Sequence, residues 1–189
     1  MRTAAILLAA GASRRFGAPD KLLAPLRGRP LVLWSAEALR ATAPDMLIAV
    51  TGSDRVAALL PGFGIVAVPG PGTAQSDSLR AGVARAAELG ADRALICLGD
   101  MPLVTADLLG EVLARCTQAR GSAVLHGTRP MPPAAFPSAL FPALLAVRGD
   151  RGARDLIATL PAEALVAAPP EQLADVDTPD DLRALDRSA

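Results

Sequence analysis

Two kinds of hydrophobic pattern alternate along this chain. "TAAILLAA" (3–10) is apolar without interruption until Gly11. A short continuous run closed by a glycine is the pattern of a strand buried on both faces. "PLVLWSAEALRAT" (30–42) instead returns its apolar residues Leu31, Trp34, Ala38 and Leu39 to one face, and it opens on proline. That spacing predicts a helix. "DMLIAVTG" (45–52) predicts a second buried strand, a short helix follows from Asp54, and "FGIVAVP" (63–69) predicts a third strand. After the Gly/Pro-rich loop "PGPGTAQ" (69–75), "SDSLRAGVARAAELG" (76–90) aligns Leu79, Val83 and Ala87 and ends at Gly90, again a helix. "DRALICLG" (92–99) is the fourth strand, and "TADLLGEVLARCTQ" (105–118) is a helix with Leu109, Val112, Leu113 and Cys116 aligned.

The second half is less regular. "GSAVLHG" (121–127) reads as a strand, and "RPMPPAAFP" (129–137) has too many prolines for a helix. Short helical patterns follow around 138–146 and 150–160, and then "EALVAAP" and "QLADVD" read as late strands or extended segments. The end is sharper: Thr178 caps, Pro179 takes the first helical position, and Asp180 and Asp181 stand in the first turn. Buried strands alternating with amphipathic helices predict an α/β fold, Rossmann-like, with three α/β/α layers around a mostly parallel sheet. No repeat, low-complexity segment or linker divides residues 1–189, so a single domain is expected, as the length of 189 residues suggests.

Composition narrows the function more than the fold. Apolar residues make up 51% and charged residues 20%, a globular balance. With 19 basic and 19 acidic side chains the net charge is zero, so nothing favours a nucleic-acid polymer or an anionic membrane as partner. No apolar run approaches the roughly 20 residues that span a bilayer. Arg2 followed by "AAILLAA" imitates a signal peptide, but the apolar part is short and two arginines follow it directly. Cys97 and Cys116 both fall at apolar positions, which suits a reducing, cytoplasmic location. The single His126 excludes multi-histidine metal sites and weakens any Ser-His-Asp reading.

The chemistry begins where the first strand ends. "LLAAGASRRFGAPDKLL" (7–23) places Arg14, Arg15 and Lys21 just past a core strand. Ligands in open α/β sheets bind beyond the carboxyl ends of the strands, and a loop there can aim backbone N–H groups at phosphate. A solvated turn whose charges do nothing is the alternative. The P-loop pattern is absent, since Lys21 has no glycine before it and no Ser or Thr after it. The dinucleotide fingerprint G-x-G-x-x-G is absent as well, which argues against a dehydrogenase.

"LAAGASRRFGAPDKLL" resembles the signature L-[AG]-[AG]-G-x-[GS]-x-R-[MF]-G…K of nucleotidyltransferases of the sugar-nucleotide and molybdenum-cofactor type. The resemblance implies that Arg15 and Lys21 are the paired catalytic cations that embrace a triphosphate. It implies nucleotide contacts from Leu8, Ala9, Ala10, Gly11, Ser13 and Arg14, the last at a variable position of the motif. "RALICLGDMPLV" (93–104) resembles the family's strand followed by G-D-x-P, in which Asp100 matches the carboxylate that holds Mg²⁺. Magnesium prefers one or two carboxylates plus substrate phosphates; a turn cap beside Pro102 is the plainer role. "GTAQSDSLRAGV" (72–83) resembles the region that reads the base, which brings in Gln75, Ser76 and Ser78, with Ala74 where the family has glycine. Simple helix capping by Ser76 is the alternative.

"ADVDTPDDL" (174–182) resembles the closing D-x-D-T-P-E-D of the family and makes Asp177, or Asp175, a second metal ligand. The alternative is an electrostatic helix cap. "LLAVRGDRGARDLI" (144–157) resembles a G-D-x-G-A-R segment of the molybdenum-cofactor branch and implies acceptor binding by Asp150 and Arg154. "LAAG", where guanylyl-transferring relatives tend to have "LAGG", leans toward CTP. The chain has "RPMPPAAFPSALF" (129–141) where the cytidylyl branch often has Gly-His-Pro before "LF". The resemblance therefore implies a Mg²⁺-dependent, monomeric enzyme. It would move a nucleoside monophosphate from a nucleoside triphosphate to a phosphorylated, molybdopterin-type acceptor. Guanylyl transfer, sugar-1-phosphate nucleotidyl transfer and a nucleotide-binding regulator that never turns over stay open beside it.

Overall fold

The computed structural model describes residues 1–11, 15–17, 20–70, 73–149 and 152–187. Ser13, Arg14 and Asp150, named above as binding residues, lie outside the described residues. The strands are β1 (Thr3–Leu8), β2 (Pro25–Leu26), β3 (Arg29–Pro30), β4 (Met46–Thr51), β5 (Gly64–Ala67), β6 (Arg93–Leu98), β7 (Ser122–His126), β8 (Arg129–Pro137) and β9 (Leu165–Ala167). The helices are α1 (Val32–Ala41), α2 (Asp54–Ala58), α3 (Gln75–Glu88), α4 (Ala106–Arg115), α5 (Phe141–Ala146), α6 (Arg154–Ala158) and α7 (Pro179–Arg187).

Seven strands form one sheet in the order β5-β4-β1-β6-β8-β7-β9. β1 pairs in parallel with β4 and β6, and β4 pairs in parallel with β5. β8 runs antiparallel to both β6 and β7, and β9 is parallel to β7. The apolar segment that imitates a signal peptide is thus the middle of the sheet, with Ala4, Ala5, Ile6 and Leu7 completely buried. Alternation along β1 sends Ala5 and Leu7 to the face covered by α1, α2 and α4, and Ala4 and Ile6 to the face covered by α3, α5 and α6. These are the expected three layers.

Proline placement explains the strand that the sequence pattern left unassigned. β8 is flanked on both sides, where proline would break ladders. Its pairing with β7 shifts register between Ala123 and Val124, which face Ala134 and Met131, so Pro132 and Pro133 fall in the bulge. Their bond is cis. Alanines 134 and 135 make the regular pairing with β6. Two expectations resolve at helix ends. α3 begins at Gln75, with Ala74 as a cap residue lacking a side-chain bond, so Ser76 is inside the first turn and caps nothing. "QLADVD" (172–177) starts inside a 3-10 turn over Pro170–Leu173 and runs on from Ala174 as the extended alternative, without joining a sheet as a strand.

Order in the sheet decides where a site can form. The chain leaves β1 toward β4 on one side and returns to β6 on the other. That reversal opens a crevice past the carboxyl ends of β1 and β6. The residues after both strands are tied together there, with Gly99 N donating to Leu8 O at 2.9 Å.

Candidate active site

Lys21 and Asp100 face each other across this crevice. Lys21 begins a 3-10 turn, Lys21–Leu23, that Asp20 caps by accepting from Leu22 N at 3.0 Å. Its Nζ donates to Asp100 Oδ2 at 2.7 Å and to Asp177 Oδ1 at 3.2 Å. The Lys21 side chain is 8% exposed. Burial works against its charge, but attraction and hydrogen bonds from Asp100 and then Asp177 outweigh this and raise its pKa above the usual value. Arg15 approaches from outside, its side chain 71% exposed, and donates to Asp177 Oδ2 at 2.7 Å. Two cations from residues 15–21 thus meet two carboxylates, one of them from close to the other end of the chain.

The segment around Asp177 is held on both sides. Val176 N donates to the carbonyl of Asp100 at 2.9 Å, and the Val176 side chain is fully buried. On the other side Thr178 caps α7 as expected, accepting from Asp181 N at 3.2 Å. Asp181 Oδ2 accepts in return from Thr178 N at 2.7 Å, Thr178 Oγ1 at 2.8 Å and Asp177 N at 3.0 Å. Desolvation acts to raise the Asp181 pKa, but the bonds from Thr178 and Asp177 together with the Arg15 charge outweigh it and hold the carboxyl below its ordinary range.

The chemistry of the donor set suits a small hard cation. Asp100 Oδ1 is buried and accepts no hydrogen bond among the described residues, while Oδ2 takes the Lys21 ammonium. A buried carboxylate oxygen without a donor is costly unless a ligand meets it. Among the described residues, no three His, Cys, Asp or Glu side chains form a metal-binding group. A cation here would have one or two protein carboxylates and would complete its shell from substrate oxygens, the habit of Mg²⁺.

Beside this cluster lies a small cleft open to solvent. Its walls are mostly apolar, from Leu8, Leu79, Ile96, Leu98, Met131 and Pro132. Gln75, Arg154 and Asp175 supply the polar groups. Gln75 opens α3 and Arg154 opens α6, so two segments far apart in sequence meet here. Gly152 joins them: a Cβ on it would lie 3.2 Å from Gln75 Oε1, and its φ of +54° favours glycine. The Asp175 pKa is raised, first by desolvation, then by repulsion from Asp100 and Asp177.

The remaining named residues are placed as follows. Ala9 donates its N–H to Val50 O at 2.8 Å, and Ala9 and Ala10 are buried at the crevice floor. Gly11 is exposed, and among the described residues a Cβ on it would meet nothing within 4 Å. Ser76 and Ser78 are buried in α3 and are not part of the cleft wall, unlike Gln75. Sequence reasoning missed Gly152, and it missed the clamp made by Asp181. The clamp had a signal, since Thr178-x-x-Asp181 has the capping-box spacing. Gly152 is the second glycine of the quoted G-D-x-G-A-R segment, but its contact with Gln75, distant in sequence, left no signal.

Comparison with known proteins fits this geometry. Residues 5–166 match the family described as "MobA-like NTP transferase domain". The purine catabolism protein PucB of Bacillus subtilis (strain 168) is 30% identical over 93% of this chain and 92% of its own. A molybdenum cofactor guanylyltransferase of Cereibacter sphaeroides is 38% identical over 57% of this chain and 55% of its own. Among solved structures, Rv0371c of Mycobacterium tuberculosis H37Rv is 27% identical and superposes with a TM-score of 0.84, covering all of both chains. A complex of that protein with manganese superposes with a TM-score of 0.79 at 26% identity, again over both whole chains.

Proposed function

This chain belongs to the family of MobA-like NTP transferase domains, and from that premise we propose that it transfers CMP from CTP to a molybdopterin-type phosphorylated acceptor. An acceptor phosphate oxygen attacks the α-phosphorus, the α–β anhydride bond breaks, and pyrophosphate leaves with its electron pair. Such chemistry is mostly positioning and charge stabilisation. The observation that carries the proposal is the meeting of Lys21 and Arg15 with Asp100 and Asp177 past the ends of β1 and β6. Lys21 and Arg15 hold phosphate oxygens and neutralise charge on the leaving group. Asp100 and Asp177 hold Mg²⁺, which when bound supplies further positive charge against the same oxygens. Gln75 orients the nucleotide, and Arg154 with Asp175 binds the acceptor in the adjoining cleft. Support for a divalent cation comes from the lone buried oxygen of Asp100 and from the manganese complex of Rv0371c.

CTP rests on "LAAG", and the acceptor rests on the "GDRGAR" segment together with the name of the molybdenum cofactor guanylyltransferase. That same name is the observation favouring a second reading, in which GTP is the donor. Pyrophosphate release measured with CTP, GTP and ATP, each with molybdopterin and with sugar-1-phosphates, separates the readings. Release with CTP and molybdopterin is expected, and GTP in its place selects the second reading. Nucleotide binding with no release under any combination overturns transfer. Arg15→Ala should lower turnover by roughly 10²–10³-fold, the usual loss of one preorganised charge. Near-normal turnover in that variant would remove Arg15 from the mechanism.

A further inference from the structure

Asp181 does more than cap a helix. In a capping box, the carboxylate at the third helical position returns a bond to the backbone N–H of the cap residue. Asp181 makes that bond to Thr178 N at 2.7 Å, and adds the Thr178 hydroxyl at 2.8 Å. Those bonds complete the capping box. Yet the same oxygen also accepts from Asp177 N at 3.0 Å, one residue before the cap. Asp177 is the residue whose two carboxylate oxygens meet Arg15 and Lys21.

We propose that Asp181 is a positioning residue for the Asp177 carboxylate, fixing the backbone from which Asp177 reaches Lys21, Arg15 and a divalent cation. The proposal rests on the reading of Asp100 and Asp177 as cation ligands. Two fastenings define the segment. The carbonyl of Asp100 holds Val176 N from the sheet side, and Asp181 holds Asp177 N and Thr178 N from the helix side. Only the second lies next to the Asp177 side chain on both peptide planes. The helix that carries Asp181 is itself anchored, since Asp186 Oδ1 accepts from Arg27 N at 2.9 Å in the β2–β3 hairpin. That hairpin follows directly on the Lys21 turn, so Lys21 and Asp177 share one mount.

Partners that orient a metal ligand are worth about 10–100-fold in metal affinity. Titration of the full chain with Mn²⁺ alone, read by the electron-spin signal of the free ion, tests this. Asp181→Ala should weaken Mn²⁺ binding about tenfold. Asp181→Glu, the commonest acidic residue of a capping box, should restore it to within about twofold. Thr105→Ala removes an equivalent cap from α4, where Thr105 Oγ1 accepts from Leu108 N. It should lower the melting temperature as Asp181→Ala does and leave Mn²⁺ affinity unchanged. If Asp181→Ala lowers the melting temperature and leaves Mn²⁺ binding as it was, Asp181 is a cap and the proposal fails. If Asp100→Asn and Asp177→Asn also leave Mn²⁺ binding intact, the cation reading fails and takes this proposal with it.

Discussion

Asp175 is held in an unfavourable place by its own neighbours. Desolvation and the charges of Asp100 and Asp177 raise its pKa above 3.8 in the folded chain. Between 3.8 and that raised value the folded state binds more protons than the unfolded state, so stability falls as pH rises through this window. Above the window the full penalty remains. Asp175→Asn should therefore melt higher than the parent at pH 7, and the two should melt together at pH 3, as thermal scans at both values would show. A stability gain of this kind is commonly matched by lost function. Gly11 gives the opposite case. Among the described residues nothing contacts the position its Cβ would take, so Gly11→Ala should leave the melting temperature alone. If phosphate sits against that backbone, crowding by about 1–3 kcal/mol weakens nucleotide binding roughly 5–150-fold. Calorimetric titration with CTP checks this.

At the scale of elements, close packing of α3 on the sheet is the sharpest constraint. A Cβ on Gly82 would lie 2.7 Å from Ile6 Cγ2 and 3.0 Å from Val50 Cγ2, both on buried strands. Gly82→Ala gains about 1 kcal/mol of helix propensity. Overpacking costs about 1–3 kcal/mol, so a net fall in melting temperature is expected. A rise would mean that β1 and β4 yield more than packed strands do. The same contrast shows what could be read from the sequence. β1, β4, β6 and β7 were legible because burial leaves continuous apolar runs, and β5, a largely exposed edge strand, was legible from its short apolar run alone. α1, α3 and α4 were legible because one apolar face repeats. β8 was not, because its prolines occupy a bulge and its ends, and only the pairing register shows that. The β2–β3 hairpin was hidden too, since its turn uses Arg27 and Gly28, both with positive φ, in place of the usual Asn-Gly. At the site, the motifs named Lys21, Asp100 and Asp177, whose juxtaposition is a property of the sheet order. The cleft and its glycine contact depend on loops that meet only in three dimensions.

The whole molecule keeps its thiols inside. Cys97 is completely buried, and burial, helped by the nearby Asp100 charge, pushes its thiol up to about 12. Burial likewise raises Cys116 to about 11 against the pull of Arg93. Thiols so shielded are inert in the native state. A thiol reagent should modify both together, at the rate of global unfolding; fast labelling of either in native buffer would contradict this burial. No helix among the described residues is long and apolar enough to cross a membrane. The chain order of the site has a further consequence. Lys21 and Asp177 are 156 residues apart, yet one hydrogen bond joins them. At synthesis rates of about 5–20 residues per second, the lysine leaves the ribosome roughly 8–30 s before the aspartate. Throughout that interval the nascent sheet can acquire its central strands while its chemistry has no second carboxylate. A chain released early would resemble the finished protein in its core and lack the carboxylate that meets Lys21 and Arg15.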